Sequence, residues 1–282
     1  MISCLSDNDI ERFIEEDVPY GDLTTHLLGI GERTGQIVFS TREETILCCT
    51  EEAGRILEKC GCSIIIQSPS GTLLPPGSEF LLAEGPARAL HTGWKVALNM
   101  LEYASGIASR TGRIVEKCRA VNPALTVVTT RKSFPGTKKV AIKAICAGGA
   151  LPHRLGLSET VLVFKQHTTF FGGLEAFIGA VGELKSKAHE NKIIIEADTY
   201  TEALLIAGSG ADVVQLDKIT PAELAETVVA IRAANPNILI SAAGGINETN
   251  AAAYAATGVD IIVLSSVYFG KPSDIGAAIV PV

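Results

Sequence analysis

Apolar positions in the second half of the chain fall into short unbroken runs, separated by stretches with helical spacing. Val127–Thr130, Thr160–Phe164, Lys192–Glu196, Asp212–Leu216, Ile238–Ser241 and Ile261–Leu264 read as strands. Thr137–Ala147, Leu174–Glu190, Thr201–Gly208 and Glu248–Ala256 read as helices between them. Thr220-Pro221-Ala222-Glu223 opens a further helix to Ala234, with a hydroxyl at the N-cap, proline at N1 and glutamate at N3. Strands without polar alternation are buried on both faces, as in a parallel sheet covered by helices. Repeated strand–helix units of this kind close into a barrel or spread into a doubly wound sheet. The missing GxGxxG after the first strand argues against the dinucleotide-binding version.

The first ~105 residues are organised differently, by their strand and turn signals. Ser6–Glu16 reads as a helix with Ser6 as N-cap, and 18–25 as a loop. Gly35–Ser40, Glu44–Cys49, Ser63–Gln67 and Glu79–Ala83 read as strands, with a helix over Thr50–Cys60. Helices over Thr92–Tyr103 and Ser109–Arg119 flank a break at Ser105-Gly106. The expected fold is α/β, with an N-terminal α+β domain over 1–106 and a parallel α/β barrel over 107–268. A C-terminal tail, 269–282, leaves the barrel.

With 47% hydrophobic and 20% charged residues the chain suits a globular core, and no apolar run reaches the ~20 residues needed to span a bilayer. The polar, acidic start lacks the order of a secretion signal, so a cytoplasmic location is expected. A net charge of −7 disfavours nucleic acid as a partner and leaves room only for local basic patches. The seven cysteines, Cys4, Cys48, Cys49, Cys60, Cys62, Cys118 and Cys146, lack zinc-site spacing and read as buried reduced thiols.

In a parallel barrel the chemistry sits at the carboxyl ends of the strands. Those ends deliver Arg131-Lys132, Lys165-Gln166-His167, Glu196 with Asp198, Asp217-Lys218, Ser241 leading to Gly244-Gly245, and Ser265-Ser266. Residues 131–167 hold seven Lys or Arg against Glu159 alone, a local excess of +6 in an acidic protein. That excess points to a small anionic ligand. Lys138, Lys139 and Lys143 read as decoration of a solvated helix face, whereas Arg131, Lys132, His153 and Arg154 flank strand ends and turns and read as functional. Glu196 and Asp217, ending successive strands, can share a hard cation such as Mg²⁺; the alternative is a pair of buried acids held by Lys218 or Arg131. Gly244-Gly245, before the Glu248–Ala256 helix, would let backbone N–H groups approach a phosphate.

The string TTRKSFPGTKKVAIKAICAGGALPHRLGLSETVLV resembles the core signature of the quinolinate phosphoribosyltransferases, as do EDVPYGDLTT, ALNMLEYASGIASRTG, AAGGIN and GVDII. The resemblance runs in order along nearly the whole chain. WKVALNMLEYASGIASRTG and VLVFKQH are similar to the ModD branch, whose members are named as pyrophosphorylases associated with molybdenum transport. The resemblance implies an N-terminal open sandwich domain followed by an incomplete parallel barrel, with the C-terminal tail returning to the first domain. It implies a homodimer or higher oligomer in which one subunit's N-terminal domain covers its partner's barrel. The implied reaction belongs to NAD biosynthesis: phosphoribosyl pyrophosphate (PRPP) with Mg²⁺ and the pyridine carboxylate quinolinate give nicotinate mononucleotide, pyrophosphate and CO₂.

By that resemblance Arg131, His153 and Arg154 bind quinolinate. Lys132, Gly244-Gly245, Ser265 and Ser266 face the phosphates. Glu196 and Asp217 hold Mg²⁺ or the ribose hydroxyls and stabilise positive charge on the ribose ring. The chain also departs from the pattern. Lys95 stands where the family has an arginine that reaches the neighbouring subunit's site, and keeps the charge without the fork. Phe164 takes the place of the lysine that contacts both substrates, with Lys165 one residue later, and a one-residue shift on a strand reverses the face. Ile194 stands where the family has an acid, Ser241-Ala242-Ala243-Gly244-Gly245 replaces the family's EASGG turn and loses an acid and a hydroxyl, and Leu264-Ser265 replaces its Val-Gly. The base-binding half is thus altered more than the PRPP half. Two other readings use the same residues: a non-catalytic binder of anions such as molybdate, and an aldolase using Lys165 or Lys218 as a Schiff-base amine.

Overall fold

The computed structural model describes residues 5–282. The first elements in chain order are α1 (Asp7–Asp17), α2 (Leu23–Leu28), β1 (Thr34–Thr41), β2 (Thr45–Ile46), α3 (Thr50–Cys60), β3 (Ser63–Gln67), β4 (Leu73–Leu74), β5 (Glu79–Pro86) and α4 (Ala87–Val121). There follow β6 (Thr126–Thr129), α5 (Lys138–Ala147), β7 (Leu151–Pro152), β8 (Val161–Val163), α6 (Lys165–Thr168), α7 (Leu174–Ile178), α8 (Val181–Lys187), β9 (Ile193–Ala197) and α9 (Tyr200–Ala207). The chain ends with β10 (Val213–Asp217), α10 (Pro221–Ala234), β11 (Leu239–Ala243), α11 (Ala251–Ala255), β12 (Ile261–Leu264) and β13 (Ile275–Pro281). No helix among the described residues is long and apolar enough to cross a membrane.

Contacts divide the chain into two compact units. The first contains the described residues up to Gly112, together with 134–149 and 267–282. Its antiparallel sheet has the order β13-β1-β5-β3. On β1 burial alternates strictly, with Gly35, Ile37, Phe39 and Thr41 inward, as a sheet covered on one face requires. The tail strand β13 pairs with β1, Gly35 against Pro281 to Thr41 against Ile275. Buried Ile10, Phe39, Ile56, Leu57 and Phe80 form part of the core beneath. In α1 the Ser6 hydroxyl and the Asp9 carboxylate cap each other's backbone N–H, so this helix starts where its sequence signals it.

The second unit contains 113–133 and 150–266. Its parallel sheet has the order β7-β6-β12-β11-β10-β9-β8, an incomplete barrel. Near-continuous burial of β9, β10, β11 and β12 explains why their sequences lack polar alternation. The N-cap of α10 is the Thr220–Glu223 capping box read from the sequence.

Several elements differ from the sequence reading. The two helices expected around Gly106 are one, α4. Gly106 serves a close approach and not a break: a Cβ there would lie 2.9 Å from Pro272 Cα and from Ser273 N. Leu174–Glu190 splits into α7 and α8. A short α2 occupies part of the expected loop, and the strand expected over Glu44–Cys49 shrinks to β2. The two-residue strand β7 is too short to show any periodicity.

Of the cysteines, Cys48, Cys49, Cys62 and Cys118 are buried, Cys60 and Cys146 are partly buried, and all six are free; Cys4 lies outside the described residues. Burial pushes the Cys60, Cys62 and Cys118 thiols up to about 11, so they stay protonated and inert.

Of the α5 lysines, Lys143 is a buried counter-ion and not solvated decoration, whereas Lys139 pairs from an exposed position. Lys139 Nζ lies 2.6 Å from Asp9 Oδ2. Lys143, with a side chain only 12% exposed, reaches Glu51 Oε2 at 2.7 Å and fully buried Glu52 Oε2 at 2.6 Å. Burial raises the Glu51 carboxyl, but hydrogen bonds from Lys143 and Ser70 outweigh it and hold its pKa at about 2, against an ordinary 4.5. The stabilisation from Glu51 is therefore complete above pH 4.5 and is lost as pH falls through about 2. Lys143→Met would leave both carboxylates without their cation and is expected to lower stability by about 3–5 kcal/mol. Urea unfolding should show the loss at pH 7, with the acid-unfolding midpoint moved to higher pH than in the native protein.

Candidate active site

The register of the second unit places side chains in layers. Leu162, Ile194, Val213 and Leu239 pair across β8, β9, β10 and β11 and form an apolar cluster. Two residues further along each strand, on the same face, Glu196, Gln215 and Ser241 pair across β9, β10 and β11. Two residues beyond again, Asp217 pairs with Ala243, which pairs with Val263 and through it with Val128. Ala243, Val263 and Val128 form a second apolar cluster. The polar groups therefore stand between apolar patches on the inner face of the half-barrel.

Above these layers lies a cavity of about 370 Å³. It is lined by Thr130, Arg131, Lys132, His153, Arg154, Leu162, Phe164, Glu196, Gln215, Asp217, Lys218, Ala243, Gly244, Gly245, Val263 and Ser265. All seven parallel strands contribute a strand-end residue or the loop that follows it. β7 explains His153 and Arg154: its pairing of Val128 with Leu151 and Thr129 with Pro152 brings the next two residues to the rim beside Arg131. A second hollow of about 370 Å³ lies in the first unit, between Phe13, Val96, Met100, Tyr103 and Val140. Its charged lining is limited to Glu16 and Asp17, so convergent chemistry singles out the barrel cavity.

The rim carries unneutralised positive charge. Arg131, Lys132 and Arg154 make no salt bridge with an acid among the described residues. Burial and the neighbouring Arg131 charge pull Arg154 below its ordinary value. Burial, with the Arg154 charge, pulls His153 down, so its imidazole is neutral at pH 7. Crowded like charges of this kind are relieved by an anion.

The floor is acidic. One oxygen each from Glu196, Asp198 and Asp217 lies within 4.8 Å of the others. Burial raises the Glu196 pKa, against a hydrogen bond from Gln215 that lowers it. Lys218 Nζ sits 3.2 Å from Asp217 Oδ2. That hydrogen bond raises the lysine's pKa, whereas a Schiff-base amine needs a lowered one; the aldolase reading loses its support there. Three carboxylate donors around one point suit a hard divalent cation, so the site fits Mg²⁺. Sequence reasoning named Glu196 and Asp217; Asp198 joins them, and the two-residue spacing Glu196-x-Asp198 carried the signal.

The remaining residues singled out in the sequence lie partly in this cavity and partly outside it. Phe164 lines the cavity, continuing the face of Leu162, with its ring stacked on His167 at 5.9 Å between centroids. Lys165 lines a smaller adjoining hollow with Asp198, Glu202 and Glu196. Ser266 donates to the Ile246 carbonyl at 2.9 Å and supports the loop. Lys95 belongs to the first unit, with its ammonium 4.5 Å from the Trp94 ring centroid. Gly244 and Gly245 lie in a loop ahead of α11, which begins at Ala251, later than the expected helix start. Gln215, missed in the sequence, stands two residues before Asp217 and thus on the same face.

Known proteins resemble this chain over most of its length. Residues 22–105 match the N-terminal and residues 107–275 the C-terminal domain of quinolinate phosphoribosyl transferase. A Rhodobacter capsulatus protein provisionally named pyrophosphorylase ModD is 42% identical over 250 residues, covering 88% of this chain and 95% of that protein. A Methanothermobacter thermautotrophicus protein designated a nicotinate-nucleotide pyrophosphorylase (carboxylating) is 30% identical over 256 residues, covering 90% and 91%. The structure of the nicotinate-nucleotide pyrophosphorylase from Francisella tularensis superposes with a TM-score of 0.88 at 23% identity, covering 98% of each chain, and shares the fold.

Gly244 has φ +86°, and a Cβ there would lie 2.5 Å from Lys218 Cγ and 2.6 Å from Asp217 Oδ1. Gly245 has φ +71° with nothing within 4 Å of a Cβ. Gly245→Ala is expected to lose about 1–2 kcal/mol from backbone strain alone. Gly244→Ala should lose a further 1–3 kcal/mol, roughly, from overpacking; urea unfolding of the two variants side by side measures the difference.

Proposed function

On the premise that the chain belongs to the quinolinate phosphoribosyl transferase family, with matched domains over most of its length, we propose that it transfers the phosphoribosyl group of PRPP to quinolinate or a related aromatic acid. The observation that carries this reading is a single cavity lined by unneutralised Arg131, Lys132 and Arg154 and by Glu196 and Asp217, with Asp198 next to the two acids. Both expected substrates are polyanions, and one brings a sugar in which positive charge develops.

In this reading Arg131 and Arg154 fork onto the carboxylates of the acceptor, and neutral His153 adds a hydrogen bond. Lys132, the N–H groups of the Gly244-Gly245 loop and Ser265 face the phosphates. Glu196 and Asp217 hold the ribose end and, with Asp198, the Mg²⁺. When bound, Mg²⁺ supplies positive charge that offsets the leaving pyrophosphate. The pyridine nitrogen bonds to the anomeric carbon as the bond from that carbon to the pyrophosphate oxygen breaks. Pre-placed carboxylates stabilise the positive charge that the ribose carries while the two bonds change. With quinolinate, the 2-carboxylate then leaves as CO₂ and a proton takes its place. Leu162 and Phe164 give the cavity its apolar wall. Lys165 serves from the adjoining hollow, Ser266 supports the phosphate loop, and Lys95 reaches a partner's site in a homodimer with shared active sites.

Pyrophosphate release from PRPP, Mg²⁺ and quinolinate tests the proposal, with a control lacking quinolinate. Release is expected only in the complete mixture, stopped by EDTA and restored by added Mg²⁺. Arg131→Ala and Glu196→Gln should each lower kcat/KM on the order of 100-fold. Unchanged turnover in both would overturn the reading, and tight anion binding without release would favour the non-catalytic binder instead.

A further inference from the structure

The acidic floor contains a group that the proposed roles do not use. Gln215 is 4% exposed and lines the cavity. On β10 it pairs with Glu196 of β9 and Ser241 of β11. Its amide nitrogen donates to Glu196 Oε2 at 2.9 Å, and its carbonyl oxygen is buried with no hydrogen-bond partner. Turning the amide over would press that oxygen against a carboxylate oxygen, acceptor against acceptor, so the orientation is fixed by chemistry. Ser241 is fully buried, and its hydroxyl also makes no hydrogen bond.

A buried carbonyl without a donor is destabilising. Here it stands beside the Glu196 carboxylate oxygen that already accepts from the same amide. Two adjacent acceptors call for a ligand with two donors. Phosphates and pyridine carboxylates are acceptors and cannot meet the demand, whereas the adjacent hydroxyls of a ribose can.

We propose that Gln215 is a substrate-positioning residue: its amide nitrogen orients Glu196, and its carbonyl oxygen accepts from a ribose hydroxyl, so that the pair reads the sugar's diol. This rests on the phosphoribosyl reading of the cavity. The deep layer is then the sugar subsite, with the cationic rim left for the phosphates and the acceptor's carboxylates.

The test is calorimetric binding of ribose 5-phosphate and its 2-deoxy and 3-deoxy analogues to the native protein and to Gln215→Met. The native protein is expected to prefer ribose 5-phosphate to both analogues by about tenfold or more. Gln215→Met should narrow the preference over one analogue by roughly tenfold while leaving pyrophosphate affinity unchanged. A purely structural glutamine would move affinity for all three sugars together. Gln215→Leu gives the same comparison if methionine fails to pack. Preference ratios unchanged within twofold in a folded variant would overturn the proposal alone. A native protein that binds PRPP but does not distinguish ribose 5-phosphate from either analogue would also overturn it. Failure of the native protein to bind ribose 5-phosphate, pyrophosphate or PRPP would overturn the phosphoribosyl reading with it.

Discussion

The parallel register of the barrel strands is the constraint from which the site follows. Because β6 through β12 run parallel within the sheet, their carboxyl ends form a common rim. Because side chains repeat every two residues, one register line fixes which groups share a level. Ile194 with Val213 sets the apolar level; the next puts Glu196 beside Gln215 and Ser241; the one above puts Asp217 beside Ala243. A shift of one residue in β9 or β10 would turn Glu196 or Asp217 to the helix-covered face. The burial that stabilises the sheet and the placement of the acids are thus one requirement.

Charge separation within the cavity follows from the same geometry. Acids come from within or just beyond strands β9 and β10, and cations come from the loops after β6 and β7, so the floor is negative and the rim positive. The Lys143 cluster in the first unit uses the opposite solution. There a buried cation is satisfied by two carboxylates. Residues 131–154 therefore include both structural counter-ions, Lys139 and Lys143, and rim cations without a salt bridge, Arg131, Lys132 and Arg154, a difference that local sequence spacing does not reveal.

The barrel strands were legible because burial on both faces leaves a run of apolar residues that no other element shares. Arg131, Lys132, Glu196 and Asp217 were legible because they follow such runs directly. β7 was not, since two residues carry no period, yet it is what delivers His153 and Arg154. Gly106 misled because a glycine required by tertiary contact looks the same in sequence as one that ends a helix. The side of the strand end that Lys165 occupies was open until the face of Phe164 was known. Gln215 was passed over because a single polar residue in a buried strand shows its purpose only when its register partner is a carboxylate.

In the proposed reading the cationic rim and the acidic floor act on one ligand, and the floor carboxylates would hold a divalent cation. Calorimetric titration of PRPP into the protein, with Mg²⁺ and again with EDTA, tests it most directly. One site per chain is expected in Mg²⁺, weakened at least on the order of tenfold by the chelator and by Asp217→Asn. Equal affinity under all three conditions would contradict it.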